Sequence, residues 1–201
     1  MPDPMIDSSR RLLVVAASIA VSLGVWGGAA EGQASVDTQT PAAFRWLQPQ
    51  RTPPGWKVAR LPSGRAMFAY PRPWRPIRTD PGTASVALLG QGRRILGYLN
   101  LTPHQGAETR ANWPSFRIDH LGDEGSTNVR RIASAHGLSF RSGKGTCVID
   151  SYRTSLARYR EIACLVAGAR SSSVIVGAAP AKTWAQRAET IERAIASLRT
   201  D

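Results

Sequence analysis

One pair of cysteines limits how this chain can fold more than any other feature of its 201 residues. Cys147 and Cys164 stand in two β-like runs, GTCVIDSYR and ARYREIACLVAG, separated by a short stretch that suits a turn. Folded about Ser155 and Leu156, the runs pair antiparallel with Cys147 opposite Cys164 and Ile149 opposite Ile162. Residues directly opposed in such a ladder have Cα atoms about 4.5 to 5.5 Å apart, a separation a disulfide can bridge. The spacing therefore predicts a hairpin pinned by a structural disulfide, a bond that persists outside the cytoplasmic membrane. A reactive thiol served by His104, His120 or His136 is the other chemistry open to these cysteines. Matching registers in one hairpin account for both without it.

The same register sets Asp150 against Glu161 and Tyr152 against Tyr159 on the opposite face. Like charges directly across two strands repel unless a cation neutralises them. Lys144, Arg153 and Arg158 are the cations near enough in sequence to do so. The other reading is a polar site of Asp150, Glu161, Tyr152 and Tyr159 in which the carboxylates share a proton or hold a cation.

Around this hairpin the text from Trp56 onward is a series of short β-like runs broken by turns: WKVARL, AMFAY, SVALLG and RRILGYLNLT, then, after a helix, NVRRIASAHG, SFRSG and SSVIVGAAP. In the fourth run Ile95, Gly97, Leu99 and Leu101 share one face at period two. Trp113, Phe116, His120 and Leu121 instead fall on one helical stripe, with Asn112 as N-cap and Pro114 in the first turn, which predicts a helix over 113–123. Trp184, Ala188, Ile191, Ile195 and Leu198 form the apolar stripe of a terminal helix, opened by a Thr183–Gln186 capping box. The fold class expected is α+β, an antiparallel sheet flanked by helices.

Residues Leu12 to Ala30 carry no charge and follow Arg10-Arg11, the layout of an export signal or a single N-terminal anchor. The expected organisation is a signal peptide or membrane anchor over 1–34, a Pro-rich linker over 35–55 and one α+β domain over 56–201. Phe44, Trp46 and Leu47 are large apolar groups that a solvated linker does not need, so a strap docked on the domain is also consistent. Either use of the N-terminus puts the domain outside the cytoplasmic membrane.

The formal charge is +12, with 23 arginines against three lysines. The arginines are scattered and form no basic arm, so nucleic acid is not an expected partner. The pairs Arg93-Arg94 and Arg130-Arg131 are candidate contacts for an anion. Gly143-Lys144 lacks the spacing and the Ser or Thr of a phosphate loop, no G-x-S-x-G elbow occurs, and no two histidines stand at metal-ligand spacing. His120 lies near Asp119, Asp123 and Glu124, but a packed helix histidine explains it without a metal. No cofactor, metal or catalytic set is expected.

A strand ending Phe68-Ala69-Tyr70-Pro71 before Trp74, a central helix, a run of antiparallel strands and a last helix closing Ile195-Ala196-Ser197-Leu198 resemble the PsbP-like superfamily over Trp56 to Leu198. That superfamily takes in the photosystem II extrinsic subunit, the Mog proteins and LpqN-type exported proteins. The resemblance implies an α-β-α sandwich serving as a binding or accessory module, and brings no catalytic residues. The functional expectation is an exported, non-catalytic envelope domain that binds an envelope protein, a small ligand or an anionic polymer or lipid. Two rivals stand beside it: a small hydrolase or metal-assisted enzyme built on Asp150 and Glu161, and a structural component held electrostatically to anionic lipid or wall polymer.

Overall fold

A computed structural model describes residues 40–49 and 51–201, so the export segment expected over 1–34 lies outside the described residues. The strands are β1 (Lys57–Arg60), β2 (Ala66–Tyr70), β3 (Arg75–Ile77), β4 (Ala84–Leu89), β5 (Ile95–Pro103), β6 (Thr127–Phe140), β7 (Gly143–Arg153), β8 (Arg158–Ala167), β9 (Ser172–Pro180) and β10 (Arg199–Thr200). Two helices, α1 (Trp113–Asp123) and α2 (Trp184–Ala196), interrupt them. A seven-stranded antiparallel sheet runs β3-β4-β5-β9-β8-β7-β6, and a small sheet runs β1-β2-β10. This is the antiparallel α+β architecture that the strand and helix periodicities predict.

Period-two alternation divides the large sheet into two chemically different faces. On one, Leu99, Leu101, Cys147, Ile162, Cys164 and Ile175 are buried against α2 and the small sheet. Ile191 and Ile195 of α2 close over Gly177, where a side chain of any size would overlap the Ile191 methyl group. Ser197 ends α2 and ties it to the small sheet, its Oγ accepting from the Ala69 N–H at 2.8 Å. Phe44 is fully buried in this core and Leu47 nearly so, while Trp46 packs at its edge. The compact unit accordingly runs from Thr38 to Asp201.

The other face carries α1. Trp113 packs on Val148, Ala163, Leu165 and Val174, and its indole N–H donates to the Ala163 carbonyl at 3.0 Å. α1 rests on β6, β7 and β8, leaving β4 and β5 bare on this side.

Three local expectations are corrected. NVRRIASAHG continues through Leu138 to Phe140 as one strand, because Gly137, at φ 67°, sits in a bulge between Ala135 and Leu138 and bends the ladder without ending it. Asn112 does not cap α1 with its side chain. Its own backbone is already helical, and its amide oxygen accepts from the Thr109 N–H at 2.6 Å instead. Thr183 likewise makes no side-chain cap to α2, since its hydroxyl donates to the Pro180 carbonyl within the preceding 3-10 turn.

Candidate functional site

The hairpin register places every cross-strand pair in line: Cys147 with Cys164, Ile149 with Ile162, Asp150 with Glu161 and Tyr152 with Tyr159. The two cysteines form a disulfide, with Cα atoms 4.1 Å apart. Alternation then puts Asp150, Tyr152, Tyr159 and Glu161 on the face toward α1. The tyrosine rings stack with centroids 5.6 Å apart.

The cation that answers the two carboxylates is none of the three that sequence proximity suggests. Arg153 and Arg158 share the Cys147 face, because odd positions of β7 and their partners point away from Asp150. Lys144 donates to the Ser139 hydroxyl at 2.7 Å. The neutralising group is Arg117 of α1, whose Nε and Nη2 donate to the two Glu161 oxygens at 2.7 and 3.1 Å. The Tyr152 hydroxyl adds a third bond to Glu161 at 3.3 Å. Burial works to lower the pKa of Arg117, but the Glu161 charge outweighs it and holds the guanidinium firmly protonated.

Asp150 has a different fate. It is 0% exposed, and neither carboxylate oxygen has a hydrogen-bond partner. Burial first and the facing Glu161 second push its carboxyl up to about 8, so it is protonated at neutral pH. Burial likewise pushes the Tyr152 phenol up. The pair is thus one ionised carboxylate, clamped by arginine, beside one neutral acid. No histidine bonds either: His104 meets Glu108, His136 meets Arg110 and Thr146, and His120 meets Glu124 at 3.3 Å while stacking on Phe116. Among the described residues no three His, Cys, Asp or Glu side chains converge to hold a metal.

Because α1 covers only part of the sheet, a cleft of about 800 Å³ opens between it and the bare strands. Tyr98, Asn100 and Thr102 of β5 form the floor, with Val174 and Val176 of β9. Phe116, Arg117 and His120 make the helix wall, and Glu161 and Tyr152 close one end. A hydroxyl relay supports the floor: Thr79 to Ser85 at 2.7 Å and Ser85 to the Asn100 amide oxygen at 2.7 Å. The opposite wall is the loop after β5, where buried Glu108 accepts from the Gln105 N–H at 3.0 Å. Burial opposes its ionisation, but these backbone N–H donors hold its carboxyl below the usual range.

Thus Glu161 and Tyr152 belong to the cleft wall, whereas Asp150 is sealed beneath α1 and Tyr159 stacks behind Tyr152. Arg93, Arg94 and Arg130 lie away from it on exposed backbone, and Arg131, exposed on edge strand β6, stands opposite Asp150 without an ion pair to it. Tyr98, Asn100 and Thr102, the polar half of an alternating strand, were the sequence signal for the floor.

No family model matches the chain, and no curated protein matches it. Solved structures do. The solution structure of cyanobacterial PsbP (CyanoP) from Synechocystis sp. PCC 6803 is 10% identical, with 73% of this chain and 93% of that one covered and a TM-score of 0.55. LpqN of Mycobacterium tuberculosis, described as involved in cell envelope biogenesis, is 11% identical over 77% of this chain and 90% of that one, with a TM-score of 0.39. The class is α+β, an antiparallel sheet flanked by two helices. The fold is PsbP-like, as the likeness to CyanoP shows.

Proposed function

We propose that this chain is an exported, non-catalytic binding domain of the cell envelope, and that its recognition site is the cleft between α1 and the bare strands. The observation that carries the reading is the cleft itself, about 800 Å³, with Phe116 and His120 on its helix wall and a floor in which Asn100 is fixed by hydrogen bonds. Sites for small molecules have this size and this mixture of aromatic walls with a few fixed polar groups. Export is supported by the Arg10-Arg11 and Leu12–Ala30 layout together with the disulfide. The carboxylate pair serves as a buried support for one end of the site, since Glu161 is already saturated by Arg117 and Tyr152.

The test is to incubate the isotope-labelled 38–201 unit with an envelope metabolite extract and follow its backbone amide signals. A ligand of the cleft shifts Tyr98 to Thr102 and Phe116 to Leu121 together, and Asn100→Trp, which fills the floor, removes the response. Shifts confined to other surfaces, or a response that survives Asn100→Trp, would overturn the assignment.

A further inference from the structure

The registers bring two arginine-flanked turns to one end of the large sheet. Tyr98, Ala178 and Glu161 lie level across β5, β9 and β8. The β4–β5 turn, the β9–α2 connection and the β7–β8 turn therefore all project from the same end. The first carries Arg93 and Arg94 next to Ile95, which is 38% exposed. The last carries Arg153 and Arg158, directly opposed across the ladder, with Leu156 between them 87% exposed. Lys182 projects between the two turns. With neighbouring strands about 4.8 Å apart, three strand spacings separate the turn centres, roughly 15 Å. None of these five cations makes an ion pair among the described residues, although Asp123 and Glu124 close α1 at the same end.

Facing arginines without a counter-ion cost stability in the free protein, and a leucine almost wholly in water gains nothing there. Both become favourable against one kind of surface. We propose that this end of the sheet docks on an anionic phospholipid bilayer, with Leu156 and Ile95 entering the headgroup–acyl boundary and the cations meeting lipid phosphates. A dissolved polyanion would use the cations but leave both aliphatic side chains in water, so the repeated pairing of aliphatic with cations selects the bilayer. The face borders the cleft at Thr154, but the proposal does not rest on what the cleft holds.

The test is co-sedimentation of the 38–201 unit, which contains the whole core described above, with phosphatidylglycerol–phosphatidylcholine vesicles and with phosphatidylcholine alone. Binding is expected to the mixed vesicles. Arg153→Glu/Arg158→Glu should weaken it about ten-fold or more, and Leu156→Ser, at an exposed tip where the fold is not at stake, by about ten-fold. Arg65→Glu/Arg141→Glu, an identical change of charge at the other end of the molecule, should cost several-fold less. Equal losses in the two double variants, an unchanged Leu156→Ser, or no preference for the anionic vesicles would each overturn the proposal.

Discussion

Arg117 and Glu161 are 44 residues apart and meet through two hydrogen bonds of 2.7 and 3.1 Å, in a contact that leaves Glu161 only 1% exposed. This one pair fastens α1 to the sheet and shapes the end of the cleft. Arg117→Ala would leave a carboxylate buried without a counter-charge, and should cost about 3 to 5 kcal/mol in denaturant unfolding. Arg117→Met combined with Glu161→Leu removes both charges together and should cost much less.

Asp150 makes stability fall as pH rises. Its carboxyl is raised to about 8 in the folded chain and sits near 3.9, roughly, when unfolded. Between those values the folded state holds the extra proton. Its contribution is therefore full below about pH 4 and is lost progressively up to about 8. Asp150→Asn, which keeps the neutral shape, should flatten the descent in melting temperature between about pH 5 and pH 8. An unchanged slope would show that another group causes it.

The disulfide closes a loop between residues 17 apart. Reduction, or Cys147→Ala with Cys164→Ala, should lower unfolding free energy by about 3 kcal/mol. Urea denaturation with and without reductant reads this directly.

Phe44 should behave as a core residue. Its ring is fully buried with Leu47 beside it, so Phe44→Ala should destabilise by about 3 to 5 kcal/mol. A domain starting at Trp56 should melt well below one starting at Thr38.

Gly177→Ala tests how closely α2 lies on β9. The added methyl group overlaps the Ile191 side chain, which should cost about 1 to 3 kcal/mol. Gly122→Ala, with open space around it, serves as the control.

What was legible in the sequence was local. The hairpin register, the facing Asp150 and Glu161, the stacked tyrosines and both helices follow from period two, period 3.6 and turn chemistry. Arg117 escaped because its role depends on where α1 lands on the sheet, which no periodicity encodes. The nearby cations Arg153 and Arg158 were misleading for a reason the pattern does contain: odd positions face away from Asp150. Asn112 and Thr183 are good capping residues whose side chains found nearer partners. The floor of the cleft is legible only once α1 is known to stop short of β4 and β5.

The sulfur bridge also locks the register of the hairpin. A slip of one residue between β7 and β8 would turn the two sulfurs to opposite faces, beyond bonding range, and would part Asp150 from Glu161. Once the bond is made, the folded hairpin is held in the register that sets Cys147 opposite Cys164. That register is also the one in which Glu161 stands where Arg117 reaches it.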